Sequence, residues 1–399
     1  MQYPQRFSDL PEYAFPRLRA LLAPLIPGGA ELPMSIGEPM HPLPAMLGEV
    51  LAANVGGYAK YPPNEGLPEL RAAQAAWIKQ RYGVEKDPET EILPLNGTRE
   101  GLFAACVALV AERKNGDRPV VLLPNPFYQC YAVAALTAGA EPVYVPALAQ
   151  NGFLPDFASV PADLLARTAA VYMCSPANPQ GAVADRAYWS ALLDLAETHD
   201  FRIFADECYS EIWRETPPTG ALEALGPHDP ERLMVFHSLS KRSNLPGLRS
   251  GFCAGGARSI AAMKQLRSYA GAPLPIPAQK AATAIWSDEA HVEDNRALYR
   301  EKFAIADEVL GNTPGYTSPE AGFFLWIAVR HDEEMTRRLW TEHGVKVLPG
   351  RYLSRNTDTR FGGGNPGAGY IRAALVAPAD DVRRGLEAIR NEIERERQP

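Results

Sequence analysis

The sequence lacks a CxxC pair or any companion histidine spacing: Cys106, Cys130, Cys174, Cys208 and Cys253 stand singly among apolar neighbours. That argues against both a disulfide framework and a zinc site. No stretch approaches the roughly 18 apolar residues of a spanning helix. MQYPQRFSDLPEYAFPRL, at the start, has no basic segment followed by an apolar one. The expectation is a cytoplasmic protein with no membrane partner and no metal. Positive charge is also in short supply. With 40 Lys and Arg against 47 Asp and Glu, the net charge is −7, which provides no basic field for a phosphate backbone and removes nucleic acid from the expected partners.

What remains is an ordinary globular composition, 46% hydrophobic and 22% charged over 399 residues, long enough for two compact units. Short apolar runs recur through the middle at 120–124, 142–146, 169–176, 202–207, 233–240 and 250–255. They alternate with amphipathic stretches such as AYWSALLDLAETHD at 187–200. Continuous runs of this length suit strands covered on both faces, and the alternation predicts a three-layer α/β/α domain with a mostly parallel sheet. After about residue 290 the pattern changes to a long charged helix, the strand-like FFLWIAV at 323–329, a helix near 332–343 and a closing helix from 378. The expected division is a large domain at 46–288 and a smaller, discontinuous α+β domain made of 1–45 and 289–399.

In a parallel α/β sheet the loops after the strand C-termini line the ligand crevice. The polar residues that follow apolar runs here are Asn178, Asp206, Ser238 and Lys241. In SLSKRSNLPGLRSGF (238–252), Ser238 and Ser240 can donate to phosphate oxygens and Arg249 can neutralise a dianion. Lys241 stands between them as a possible Schiff-base amine. A single lysine is usually a solvated surface charge; the companions make this one informative. Asp206 can pair with a protonated ring nitrogen, and Tyr209 and Asn178 can reach a ring oxygen. Alone, Asp206 reads as a helix cap and Asn178 as a turn former. NGTREGLF at 96–103 brings Gly97, Thr98 and Arg99 to the start of an apolar helix, whose free amides suit a phosphate, although Thr98 reads equally as a cap. Tyr128 can stack on a planar ring or simply fill the core.

Taken in order, SIGEP, KYPPNEGLPELR, NGTREGL, PNPFYQCY, SPANPQG, DECY, SLSKRSNLPGLR and GYIRAAL resemble the class I and II aminotransferases of the fold type I pyridoxal-phosphate enzymes, over most of the chain. The resemblance implies pyridoxal 5'-phosphate as cofactor and Lys241 as its tether and the catalytic base. It places Asp206 on the pyridine nitrogen, Asn178 and Tyr209 on the phenolic oxygen, and Tyr128 on the ring face. It gives the phosphate to Arg249, Ser238, Ser240 and Thr98, within the cofactor-binding turn Gly97–Arg99. Arg372 would hold the substrate α-carboxylate, with Gly37 allowing close backbone approach. Tyr61 would reach the phosphate of a neighbouring subunit's cofactor, which implies a homodimer, and segment 268–276 would cross its interface.

The wording of SLSKRSNLPGLRSGF, AGFFLWIAV and GAGYIRAALVAP looks most like the N-succinyl-diaminopimelate aminotransferases of lysine biosynthesis. That implies an amino group moving between glutamate or 2-oxoglutarate and N-succinyl-2-amino-6-ketopimelate, with a second anion site. Arg351 and Arg355 are candidates for it, though no motif places them. The rival readings are an aminotransferase of other substrates, a C–S lyase, racemase or decarboxylase on the same scaffold, and a non-catalytic cofactor-sensing regulator. The regulator would carry a DNA-binding extension that is not apparent here.

Overall fold

The computed structural model describes residues 5–397; residues 1–4 and 398–399, the outer ends of the expected small domain, lie outside the described residues. Seven strands form the main sheet in the order Ile92–Leu95, Gly251–Gly255, Leu233–Ser238, Arg202–Asp206, Thr168–Cys174, Val120–Asn125 and Glu141–Pro146. All neighbours are parallel except that Gly251–Gly255 runs antiparallel to both strands beside it. Side chains along each strand alternate between two cores. Val120 and Leu122 join one with Trp77, Trp189 and Ile285. Val121 and Leu123 join the other with Leu102, Tyr131 and Met263. Helices therefore cover both faces, which explains why these strands read as unbroken apolar runs.

Helix Arg186–His199 shows how local sequence sets an element. The Asp185 side chain accepts from the Tyr188 amide at 2.8 Å, closing the N-terminus; such a cap contributes about 1 kcal/mol. Trp189, Leu192, Leu193 and Ala196 recur at helical spacing and are buried. The smaller α+β unit is built on the antiparallel strands Leu348–Pro349, Tyr370–Ala374 and Phe324–Ala328. Helices Ala290–Leu310, Asp332–His343 and Ala379–Glu396 contribute Tyr299, Met335 and Leu386 to its core. The N-terminal segment joins it: Leu32–Pro33 pairs with Val345–Lys346, and helix Ala14–Leu22 packs on Trp326 and Trp340.

One strand of the main sheet is absent from the sequence expectation. Ile92–Leu95 has only four residues and contains Pro94. It is tolerated at the sheet edge, where one side needs no ladder donor. Asp206, Ser238 and Cys174 end adjacent parallel strands, so the loops beyond them share one rim.

The core also contains a buried ionisable contact. His237 Nε2 lies 3.5 Å from Glu207 Oε2, with both side chains 2% exposed. Burial holds the imidazole down to about 3 and pushes the carboxyl up to about 8, so at neutral pH these are neutral groups rather than an ion pair. Glu207 keeps its proton to about 8 when folded and releases it near the usual 4.5 when unfolded. Between 4.5 and 6.5 the extra proton this gives the folded state is offset by the one that His237 takes up only when unfolded. The window in which the folded state binds more protons, and stability falls as pH rises, therefore runs from about 6.5 to 8. Melting temperature measured across it is expected to decline in the native protein and to be flatter in Glu207→Gln, which keeps the acceptor for the Ala221 amide. Parallel profiles would contradict the assignment.

Candidate active site

A cleft of about 370 Å³ opens at this rim, within the range of small-molecule sites. Its lining includes Gly37, Thr98, Arg99, Tyr128, Asn178, Asp206, Tyr209, Ser238, Ser240, Lys241, Arg249 and Arg372. Of the expected residues only Gly97 and Tyr61 are not on its wall. Gly97 lies immediately behind it, and Tyr61 is fully exposed.

Lys241 sits in the short helix Leu239–Arg242, which begins where strand Leu233–Ser238 ends. Its Nζ donates to the Gly37 carbonyl and stands 5.3 Å from the centre of the Phe323 ring. Burial, with a smaller contribution from the Arg372 charge, lowers the ammonium to about 8. A lysine so placed exists partly as the free amine near neutral pH, as a nucleophile or base must.

Asp206, 6% exposed, accepts from the Tyr131 hydroxyl at 2.6 Å and from the Cys208 amide at 3.3 Å. Burial raises its pKa, and among the described residues it has no salt-bridge partner. Tyr131, which the sequence reading missed, is stacked on Tyr172 at 4.4 Å. The detectable signal was its place three residues after Tyr128, on the first turn of helix Gln129–Thr137.

Helix Thr98–Leu109 points its N-terminus into the cleft. Gly97 is its cap at φ 79°, a conformation that favours glycine. A Cβ there would collide with the Arg249 guanidinium, so the glycine makes room for that cation. Arg249 is itself held in the left-handed region, at φ 56°. Thr98 is the first helical residue rather than the cap, and its Oγ1 lies 3.0 Å from Cys208 Sγ. The Ser238 hydroxyl accepts from the Ser240 amide at 3.1 Å.

Arg372, on strand Tyr370–Ala374, is 4% exposed. It donates to Asn178 Oδ1 at 3.0 Å and to the Ser35 carbonyl at 2.7 Å, and lies 4.1 Å over the Phe324 ring. Its Nε is buried without a partner, and burial lowers its pKa to about 10. No carboxylate balances this cation among the described residues. Gly37 lies against Phe324, where a Cβ would collide with the ring. Arg99 is exposed, and its Nε donates to the Tyr128 hydroxyl, so its side chain faces the cleft mouth rather than the glycine turn. Arg351 and Arg355 are not on the cleft wall: Arg351 is paired with the buried Asp332 at 2.6 Å and Arg355 with Asp9 at 3.1 Å.

These groups fit pyridoxal phosphate and an amino acid. The helix N-terminus beside Arg249 suits a phosphate, the uncompensated Asp206 suits a protonated ring nitrogen, and the uncompensated Arg372 suits a carboxylate. Among the described residues no cluster of His, Cys, Asp or Glu could hold a metal, and no helix is long and apolar enough to cross a membrane.

Comparison with known proteins agrees. The family model "Aminotransferase class I and II" matches residues 32–389. An LL-diaminopimelate aminotransferase of Dehalococcoides mccartyi is 33% identical, the match covering 98% of this chain and 99% of the relative. One of Aquifex aeolicus is 32% identical, with the same coverage. A solved aminotransferase of Neisseria meningitidis is 40% identical with a TM-score of 0.92, covering 98% of this chain and 99% of its own.

Proposed function

The chain belongs to the class I and II aminotransferases, whose members use pyridoxal phosphate, and we propose that it exchanges an amino group between glutamate and the long tricarboxylic keto acid N-succinyl-2-amino-6-ketopimelate. The observation that supports a substrate with more than one carboxylate is the charge of the cleft. Its lining holds four cations, Arg99, Lys241, Arg249 and Arg372, against a single carboxylate, Asp206. With Arg249 given to the cofactor phosphate and Arg372 to the α-carboxylate, Arg99 is left for a further anion. It stands where the cleft adjoins an apolar groove of about 700 Å³ lined by Phe103, Val107 and Leu266, which leaves room for a long substrate.

Pyridoxal phosphate, when bound, supplies the electron sink that makes the substrate α-proton removable. The chain's own groups do the rest. Lys241 Nζ would hold the cofactor and, once freed, would take the substrate α-proton and deliver it two atoms away, to the cofactor carbon on the far side of the amino nitrogen. Asp206 keeps the ring nitrogen protonated, with Tyr131 holding its carboxylate. Asn178 and Tyr209 serve the phenolic oxygen, and Tyr128 covers the ring. Arg249, the amides of the Gly97–Arg99 turn, Thr98, Ser238 and Ser240 hold the phosphate. Arg372 binds the α-carboxylate common to both substrates. We assign the homodimer to the surface around the exposed Tyr61, with Tyr61 serving the partner's phosphate.

The relatives' name supports a second reading, in which the unacylated diaminopimelate is the substrate. Initial rates with the succinylated and free compounds separate the two. Arg99→Gln is expected to raise KM for the succinylated keto acid about 10- to 150-fold, the equivalent of a charged hydrogen bond of about 1.5–3 kcal/mol, with kcat little changed. Preference for free diaminopimelate, or an unchanged KM in the variant, would remove the succinyl assignment. Turnover without any keto acid would favour a lyase.

A further inference from the structure

One buried polar cluster has no part in the chemistry above. Lys302, on helix Ala290–Leu310, is 3% exposed. It donates to His41 Nε2 at 2.6 Å and to the Val376 carbonyl at 3.2 Å. An ammonium only donates, so Nε2 is the acceptor and the ring proton resides on Nδ1. That proton is donated to Asn295 Oδ1 at 2.7 Å. Asn295 Oδ1 also accepts from Asn244 Nδ2 at 3.0 Å, and its Nδ2 donates to the Arg242 carbonyl at 3.3 Å and to that of Lys241 at 3.5 Å. Asn244 reaches back to the Pro42 carbonyl at 3.2 Å. Burial lowers His41 to about 4, so at neutral pH the ring is neutral and able to accept.

Two other routes lead from His41 to the same lysine. The imidazole packs on Tyr299 at 4.4 Å, Tyr299 stacks on Phe323 at 5.6 Å, and Phe323 presents its face to Lys241 Nζ. Along the chain, His41 ends the strap whose Gly37 carbonyl accepts from Lys241 and whose Ser35 carbonyl accepts from Arg372. Ile36, Glu38 and Met40 on that strap are exposed, which leaves it few anchors of its own. His41 fastens it to helix Ala290–Leu310 through both Lys302 and Asn295, and Asn295, with Asn244, joins that helix to the turn that follows Lys241.

We propose that His41 is a positioning residue for Lys241: held between Lys302 and Asn295, it fixes the strap Ser35–Pro42 so that the Gly37 carbonyl stays on Nζ. This builds on the reading of Lys241 as the reacting amine. The bond to Asn295 is the arm that leads to Lys241, and the bond to Lys302 is an anchor on the far side.

Three variants separate these arms. His41→Asn places an amide nitrogen where Nδ1 was and keeps the bond to Asn295. His41→Gln reaches the Nε2 position and keeps only Lys302, and His41→Leu keeps neither. His41→Leu and His41→Gln are expected to lower kcat about 10- to 100-fold, the scale of a small misplacement at a reacting centre, with little change in KM for glutamate; His41→Asn should retain most of the native kcat. In the cofactor-free protein, the pH dependence of Lys241 acetylation by acetic anhydride, read by peptide mass spectrometry, gives its apparent pKa. Loss of the Gly37 acceptor disfavours the ammonium, so this value should fall in the Leu and Gln variants and stay native in the Asn variant. That arm needs no turnover, so failure of the His41 link and failure of the Lys241 assignment are seen separately. A lowered melting temperature with kcat and Lys241 pKa unmoved would overturn the proposal, and so would an Asn variant as impaired as the Leu variant. If His41→Leu does not fold, the Asn and Gln pair carries the same comparison.

Discussion

Replacing Lys241 by alanine is expected to lower transamination by about 10⁴-fold or more, the upper scale of positioned acid–base catalysis, while melting temperature stays close to native. The catalytic loss follows from position. Among the described lining groups, Lys241 is the only amine, and burial holds it to about 8. The mild structural effect follows from its contacts. Its Nζ has one hydrogen-bond partner, the Gly37 carbonyl, and is in no salt bridge among the described residues, so truncation breaks no ion pair. A truncated lysine normally exposes a cost only where it satisfied a buried charge. Steady-state kcat with glutamate as donor and N-succinyl-2-amino-6-ketopimelate as acceptor, alongside a thermal melt, checks both halves. An alanine variant within tenfold of native would remove Lys241 from the chemistry, and an unfolded one would show that its role is structural.

Asp206→Asn isolates charge from shape. The asparagine Oδ1 can still accept from the Tyr131 hydroxyl, now 2.6 Å from Asp206, and the strand end should stay in place. What is lost is the negative charge, and with it the means of keeping a ring nitrogen protonated. Removing one preorganised electrostatic contact at a reacting centre typically costs about 10²–10³-fold in kcat, and that is the expected loss here. The buried setting matters: burial already pushes Asp206 upward, so the carboxylate gains most when a cation lies against it. The check is kcat measured at saturating pyridoxal phosphate, with cofactor retention followed by absorbance. A variant that retains the cofactor and turns over within tenfold of native would show that the charge at 206 does not serve the ring.

The main sheet was legible in the sequence because its strands are buried on both faces and so read as unbroken apolar runs; Thr168–Cys174 is buried at every position. Ile92–Leu95 was not legible, since four residues with a proline carry no period. The cleft was legible in part because its groups follow those strands directly: Asp206 ends one, and Lys241 comes three residues after another. Tyr131 was missed because its meaning lies in a contact 75 residues away. His41 and Asn295 are 254 residues apart and meet only through the fold. Arg351 and Arg355 were considered for the second anion because sequence gives charge without partners; the structure gives them Asp332 and Asp9. Arg99 was placed with the phosphate by its position in the turn, yet its side chain is drawn to the Tyr128 hydroxyl.

The account rests on a pyridoxal-phosphate cycle carried by Lys241, and one spectroscopic titration tests it most directly. The purified protein, supplied with pyridoxal phosphate, is followed by near-ultraviolet and visible absorbance as glutamate and then 2-oxoglutarate are added, beside Lys241→Ala. The account predicts a visible band in the native protein that glutamate bleaches and the keto acid restores, and no such cycle on the catalytic timescale in the variant. A native protein that forms no band with the cofactor, or a variant that cycles like the native protein, would contradict it.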